Sequence, residues 1–188
     1  MPTAHYLTFP TAFGTCGLAW SDVGLLRVQL PDSDERATVA RLRRAGAEAA
    51  SDTPPAWLTD CMSLVTRHLS GDPTDYRHLP LDDRALAAGE RAIYAALRSV
   101  GWGETITYGT LARATGAPGD ARVVGRAMAR NPWPVVVPCH RVLAAGQSLG
   151  GFSAPGGVAT KVRLLALEGI RPGGGPPEQP DLFDDAPG

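Results

Sequence analysis

Apolar and polar side chains alternate over residues 13–20 and again over 24–30, on either side of Ser21-Asp22-Val23-Gly24. A period of two with a glycine-containing break predicts a β-hairpin, and residues 3–9 offer a third strand. The period then changes. Residues 34–50 are rich in Ala, Arg and Glu with Val39 and Leu42 three apart, and 55–69 place Trp57, Cys61, Leu64, Val65 and His68 at helical spacing. Two helices are expected. Gly71-Asp72-Pro73 ends the second, and a short extended piece over 76–81 leads out of a small α/β unit.

From Leu86 the pattern is helical again, with Leu86, Ile93, Leu97 and Val100 on one face and a stop at Gly101-Trp102-Gly103. Thr107 can cap a helix reaching about residue 115, Gly116-Ala117-Pro118-Gly119 is a turn, and Asp120 can cap a helix reaching about 130. This is the outline of a helix-turn-helix, shared by many helical hairpins that bind nothing. In the second helix Val123, Val124, Ala127 and Met128 form a buried stripe, while Arg122, Gly125, Arg126 and Ala129 share a basic, nearly flat face. Glycine in a helix interior costs up to about 1 kcal/mol relative to alanine, so another backbone coming close would explain Gly125. DNA and a packed neighbouring helix both fit. Val135-Val136-Val137 reads as a short buried strand that delivers Cys139 and His140 into the interior. Gly150-Gly151 and Gly156-Gly157 bracket a loop, and 158–168 is a last amphipathic helix stopped by Gly169.

A chain of 188 residues can hold one large domain or two small ones. The pattern divides it into an N-terminal α/β domain over 1–83, a mostly helical domain over 84–171 and a tail over 172–188, rich in Pro, Gly and acid, expected to be disordered. No apolar run approaches the roughly 18 residues of a membrane span, and residues 1–10 lack the features of a secretory signal, so a cytoplasmic location without membrane contact is the default expectation. Cys16, Cys61 and Cys139 make an odd, irregular set, expected to be free thiols. The net charge of −1 hides an asymmetry: residues 1–85 carry −3, 86–171 carry +6 and 172–188 carry −4. The middle segment is the candidate nucleic-acid surface.

Free cysteine usually fills space, which suffices for Cys16 and Cys61. Cys139 differs because His140 and Arg141 adjoin it. Thiolate is the reactive form, positive neighbours lower its pKa, and a histidine can take the thiol proton while a carboxylate holds that histidine in one tautomer. Glu168 is a candidate carboxylate.

Five pieces in order now carry a resemblance. They are residues 103–112 (GETITYGTLA), 121–128 (ARVVGRAM), Asn131-Pro132, Pro138-Cys139-His140-Arg141-Val142 and 164–169 (LLALEG). Together they resemble the C-terminal domain of the O6-alkylguanine-DNA alkyltransferase family. The resemblance implies a ribonuclease-H-like α/β N-terminal domain followed by a winged helix-turn-helix DNA-binding domain. It implies direct, stoichiometric transfer of an alkyl group from O6-alkylguanine in duplex DNA to Cys139 after the nucleotide is flipped out, and leaves open whether O4-alkylthymine is a further substrate. His140 would act as base through a water, oriented by Glu168; Tyr108 would donate a hydrogen bond to the leaving guanine, and Asn131 would brace the turn before the cysteine. Arg122 would fill the gap left by the extruded nucleotide, with Gly125, Arg126, Ala129 and Thr107 also at the DNA. Tyr108, Met128, Pro138, Val142, Ser153 and Lys161 would form the substrate pocket.

The loop Phe152-Ser153-Ala154-Pro155-Gly156-Gly157 is two residues longer than the common family version, which leaves open how the rim around Ser153 closes. His5, Cys16, Cys61, His68 and His78 show no tight ligand spacing, so neither a metal nor another cofactor is expected. Gln179-Pro180-Asp181-Leu182-Phe183 resembles the peptide by which bacterial repair proteins dock on the sliding clamp; an inert acidic tail is the alternative. A monomer is expected. The main rival function is a non-catalytic alkylated-DNA-binding protein, which would not need Cys139. A thiol hydrolase built on Cys139, His140 and Glu168 and a helix-turn-helix regulator are the others.

Overall fold

The computed structural model describes residues 4–51, 53–116 and 120–173. The alternating segments pair as expected. Strands β1 (Ala4–Thr11), β2 (Gly14–Trp20) and β3 (Leu25–Gln29) form an antiparallel meander. A fourth strand, β4 (Ala47–Ala49), joins β1 in parallel, giving the order β3-β2-β1-β4. This corrects the reading of 34–50 as one helix. Helix α1 covers only Glu35–Arg44, capped by the Asp34 carboxylate accepting from Ala37 N–H at 2.7 Å. It ends because Gly46 takes a φ of 83°, a left-handed value that glycine adopts freely and that turns the chain back toward the sheet. Helix α2 (Ala56–Leu69) then buries Leu58, Cys61, Val65, His68 and Leu69. Each large apolar side chain so buried contributes about 1.5–3 kcal/mol, before the entropy of ordering it.

The second half is helical. Helices α3 (Ala88–Leu97), α4 (Tyr108–Ala114), α5 (Ala121–Arg130) and α6 (Gly157–Leu167) surround a two-stranded parallel ribbon, β5 (Ile106–Thr107) with β6 (Val142–Leu143). Thr107 caps α4 by accepting from Thr110 N–H at 3.1 Å, and the Asp120 carboxylate caps α5 by accepting from Arg122 and Val123 N–H. Residues 117–119 of the expected turn lie outside the described residues.

One hydrophobic core runs through both halves, joining Phe9, Leu18 and Leu58 to Leu111, Val124, Trp133 and Leu164. Two backbone acceptors fix the halves against each other: Trp133 Nε1–H donates to Leu25 O at 2.8 Å, and Val28 N–H to Pro132 O at 2.9 Å. Val135-Val136-Val137 is not a strand, contrary to expectation. All three are buried, but Val135 has a φ of 76° and Val137 N–H closes a turn onto Trp133 O at 2.7 Å. A branched residue takes that conformation only when its surroundings enforce it, and here burial and the Asn131 amide do so. The Asn131 Nδ2–H donates to Val137 O at 2.8 Å while its Oδ1 accepts from Trp133 N–H at 3.0 Å. Among the described residues, no helix is long and apolar enough to cross a membrane.

Candidate active site

The turn that Asn131 braces leads into a 3-10 turn, Cys139–Arg141, with Cys139 N–H bonded to Val137 O at 2.8 Å. Cys139 is 5% exposed and forms part of the wall of a cavity of about 380 Å³, with Tyr108, Met128, Phe152 and Ser153 around it and Gly125 and Ala129 of α5 along one side. Tyr108 stands so close to Gly150 that a Cβ there would lie 3.2 Å from its ring, which explains glycine at that bend. Three expected pocket residues do not line this cavity. Val142 and Lys161 are fully buried and Pro138 faces a different cavity, because the 3-10 turn rotates successive side chains away from Cys139. Lys161 instead donates from Nζ to Val142 O at 2.7 Å and Gly151 O at 3.4 Å, tying the loop to the turn from beneath.

Beside the cavity lies the flat face of α5. Arg122, Arg126 and Ala129 are exposed, and a Cβ on Gly125 would meet no atom within 4 Å. Of the two explanations for Gly125, a packed neighbouring helix is therefore excluded among the described residues.

Behind Cys139 the chain builds a buried polar network. His140 and Glu168 are both completely shielded at their side chains, and His140 Nε2–H donates to Glu168 Oε1 at 2.9 Å, since a carboxylate can only accept. Arg141 Nε–H donates to Glu168 Oε2 and Nη2–H to Oε1, both at 2.8 Å, and its Nη1–H reaches Val100 O at 2.6 Å. His140 Nδ1 has no protein partner among the described residues. With Nε2–H turned to the carboxylate, Nδ1 carries the free lone pair of the ring.

The sequence reading missed a second imidazole here. His68 of α2 is fully buried, and its Nε2 stands 3.2 Å from the same Glu168 Oε1, off the line of a well-formed hydrogen bond. A histidine on an otherwise apolar helix stripe was the available signal, because a buried imidazole requires partners. The nitrogens of His68 and His140 and the Glu168 oxygen lie within 4.8 Å of one another, a spacing that could hold a cation. Arg141, however, already neutralises that carboxylate with a bidentate pair.

Burial fixes the proton states. It depresses His140 to about 4, more than Glu168 raises it, so the imidazole is neutral at pH 7. It pushes the Cys139 thiol up, outweighing the Asn131 side chain and the Lys161 charge that lower it. Positive charge does lower it, as expected, but burial outweighs that, and the pair is a thiol next in sequence to a neutral imidazole. Burial would also raise the Glu168 carboxyl, but contacts from His140, His68 and Arg141 together draw it well below the usual carboxylate range. Lys161 is lowered by burial to about 8.

Residues 88–170 match the family described as the 6-O-methylguanine DNA methyltransferase DNA-binding domain. A methylated-DNA-protein-cysteine methyltransferase of Mycolicibacterium paratuberculosis is 43% identical over 164 residues, covering 87% of this chain and 92% of that protein. One from Cricetulus griseus is 32% identical over 190 residues, covering 95% and 86%. Among solved structures, the Mycobacterium tuberculosis O6-methylguanine methyltransferase superimposes with a TM-score of 0.70 at 30% identity, over 88% of this chain and 93% of that one. The same organism's protein crystallised in complex with DNA also gives 0.70, at 29% identity. With its braced cysteine, its histidine held by a carboxylate and relatives matching along nearly its whole length, the chain belongs to the methylated-DNA-protein-cysteine methyltransferase family.

Proposed function

We propose that Cys139 takes the alkyl group from O6-alkylguanine in duplex DNA in a single, irreversible turnover. The observation that carries the reading is Cys139 itself, a thiol at a cavity beside an open basic helix face and backed by a neutral, carboxylate-held imidazole. The Sγ–alkyl bond forms as the alkyl–O6 bond breaks. The thiol proton passes to His140 Nδ1, directly or through a water, and the imidazolium is stabilised by Glu168. Tyr108 donates its phenolic proton to the departing guanine and recovers one from His140 through solvent, so charge and atoms balance. The thioether is a poor leaving group, so one molecule repairs one lesion.

The substrate base lies inside a stack and must be extruded to reach Cys139, at a cost of a few kcal/mol that is smaller for a weakly paired lesion. The flat α5 face, lying in the minor groove with Arg122 filling the gap and Gly125, Arg126 and Ala129 against the backbone, serves that step; Thr107 caps the neighbouring helix at the same surface. The exocyclic alkyl group of O4-alkylthymine would reach the same thiol. This reading divides the chain into an N-terminal α/β domain of ribonuclease-H-like type over 1–83 and a winged helix-turn-helix domain over 84–171, with β5 and β6 as the wing-like ribbon. The protein acts as a cytoplasmic monomer. The clamp-binding peptide Gln179-Pro180-Asp181-Leu182-Phe183 lies outside the described residues; loss of clamp binding on changing Leu182 and Phe183 to Ala is its test.

Intact-protein mass after incubation with a duplex containing O6-methylguanine tests the whole. The natural chain should gain one methyl group mapping to Cys139, and Cys139→Ala should gain none. Tight DNA binding with unchanged mass would establish the non-catalytic rival instead.

A further inference from the structure

Among the described residues, two buried nitrogens in the network lack a well-formed partner: His140 Nδ1, which the mechanism uses, and His68 Nε2, which it does not. His68 comes from α2 in the N-terminal half, yet its ring packs edge-on against His140, with centroids 5.8 Å apart, and against Trp102 at 4.8 Å. Its Nδ1 lies 2.9 Å from Thr74 Oγ1. Its Nε2 faces Glu168 Oε1 at 3.2 Å. An imidazole nitrogen facing a carboxylate carries the proton, which leaves Nδ1 to accept from the Thr74 hydroxyl.

We infer that His68 is a positioning residue for the transfer reaction: its Nε2–H shares Glu168 Oε1 with His140 and sets how strongly that carboxylate holds the His140 proton. The inference rests on the function proposed above. Glu168 Oε1 faces three N–H groups, from His140, His68 and Arg141 Nη2. Each donor withdraws charge from the oxygen that must stabilise the His140 imidazolium. With His68 present the carboxylate is kept anionic and in place, and its pull on His140 is moderated. His140 therefore remains neutral and able to accept the thiol proton over a wider acidic range. The other charged or titratable groups around the pair are Arg141 on the 3-10 turn and Tyr76 beyond α2, whose phenol is raised by burial; Cys139 and Lys161 lie on the thiol side.

Three substitutions separate this role from packing. His68→Phe keeps an aromatic ring against Trp102 and removes both nitrogens. His68→Gln places an amide N–H near the Nε2 position, and His68→Asn places one near Nδ1 only. Single-turnover methyl transfer to Cys139 is measured against pH for each, alongside the His140 imidazole titration by NMR. In His68→Phe and His68→Asn the acid limb and the His140 titration should both move up by about one pH unit, a tenfold change in the proton equilibrium. In His68→Gln both should stay with the natural chain. Superimposable profiles for the natural chain and His68→Phe would overturn the inference, as would Gln and Asn variants that shift alike. Should His68→Phe fail to fold, the Gln–Asn contrast decides. If the natural chain transfers no methyl group, the proposed function fails, while the His140 titration still tests the link to His68.

Discussion

The two sides of Cys139 are built on opposite principles. Toward the cavity it meets Tyr108, Met128 and Ser153 beside an α5 face where, among the described residues, a Cβ on Gly125 would meet open space, a surface left free for something to occupy. On the interior side the chain runs on into His140 and Arg141, which with His68 crowd their buried donors onto the one carboxylate of Glu168. On the function proposed above, the front accepts an alkylated base because it is open; the rear can hold a neutral imidazole beside a carboxylate because both are buried. Changes at the rear should therefore be felt first in folding, and changes at the front in chemistry or binding.

The largest effect is expected at the rear. Glu168→Gln leaves Arg141 buried without its counter-charge and should destabilise the protein by about 3–5 kcal/mol, measured by denaturant unfolding. A loss below 1 kcal/mol would mean that the network is solvated. Acid attacks the same region. The folded-state pKa of His140 is about 4 against an unfolded value near 6.5, so the unfolded chain binds the proton first and stability falls as pH drops from 6.5 toward 4. At about 1.4 kcal/mol per unit the loss amounts to roughly 3 kcal/mol, read as a falling Tm. Glu168, also depressed, adds loss in the same direction at lower pH. A Tm that stays level over this window would contradict a buried neutral His140.

At the front, Tyr108→Phe should leave folding and DNA affinity nearly unchanged and slow transfer by roughly 10²-fold, the lower range for a lost proton donor. The smallest effect sharpens the contrast most. Gly125→Ala has space for its methyl group, so the helix should gain about 0.5–1 kcal/mol while affinity for duplex DNA falls. Greater stability with unchanged affinity would remove α5 from the DNA surface.

The front was more legible in the sequence than the rear. Alternation gave the meander, and the Thr107 and Asp120 caps marked where α4 and α5 begin, because these signals are local. At the rear, the Pro138–Val142 run marked Cys139 and His140 and the separate 164–169 run marked Glu168, and the structure brings His140 and Glu168 together at 2.9 Å. Two local signals misled. An Ala-rich stretch hid β4, whose only marker is the left-handed Gly46, and three valines imitated a strand where burial alone required them. His68 was legible as a buried imidazole in need of partners, but its partner was not. Its partner is one hundred residues away, and helical spacing says only that the side chain points inward.

The outer edge of β3 has a consequence of its own. That edge is occupied by the chain leading to the nucleophile, through Val28 N–H on Pro132 O and Leu25 O under the Trp133 indole. The N-terminal sheet therefore serves as the jig in which Cys139 is mounted, and the alignment of the thiol with its target inherits the register of the meander. One residue inserted between Leu25 and Val28 would put one mounting point out of step with the other by about 3.3 Å. The lesion could still be bound and the nucleophile would miss it.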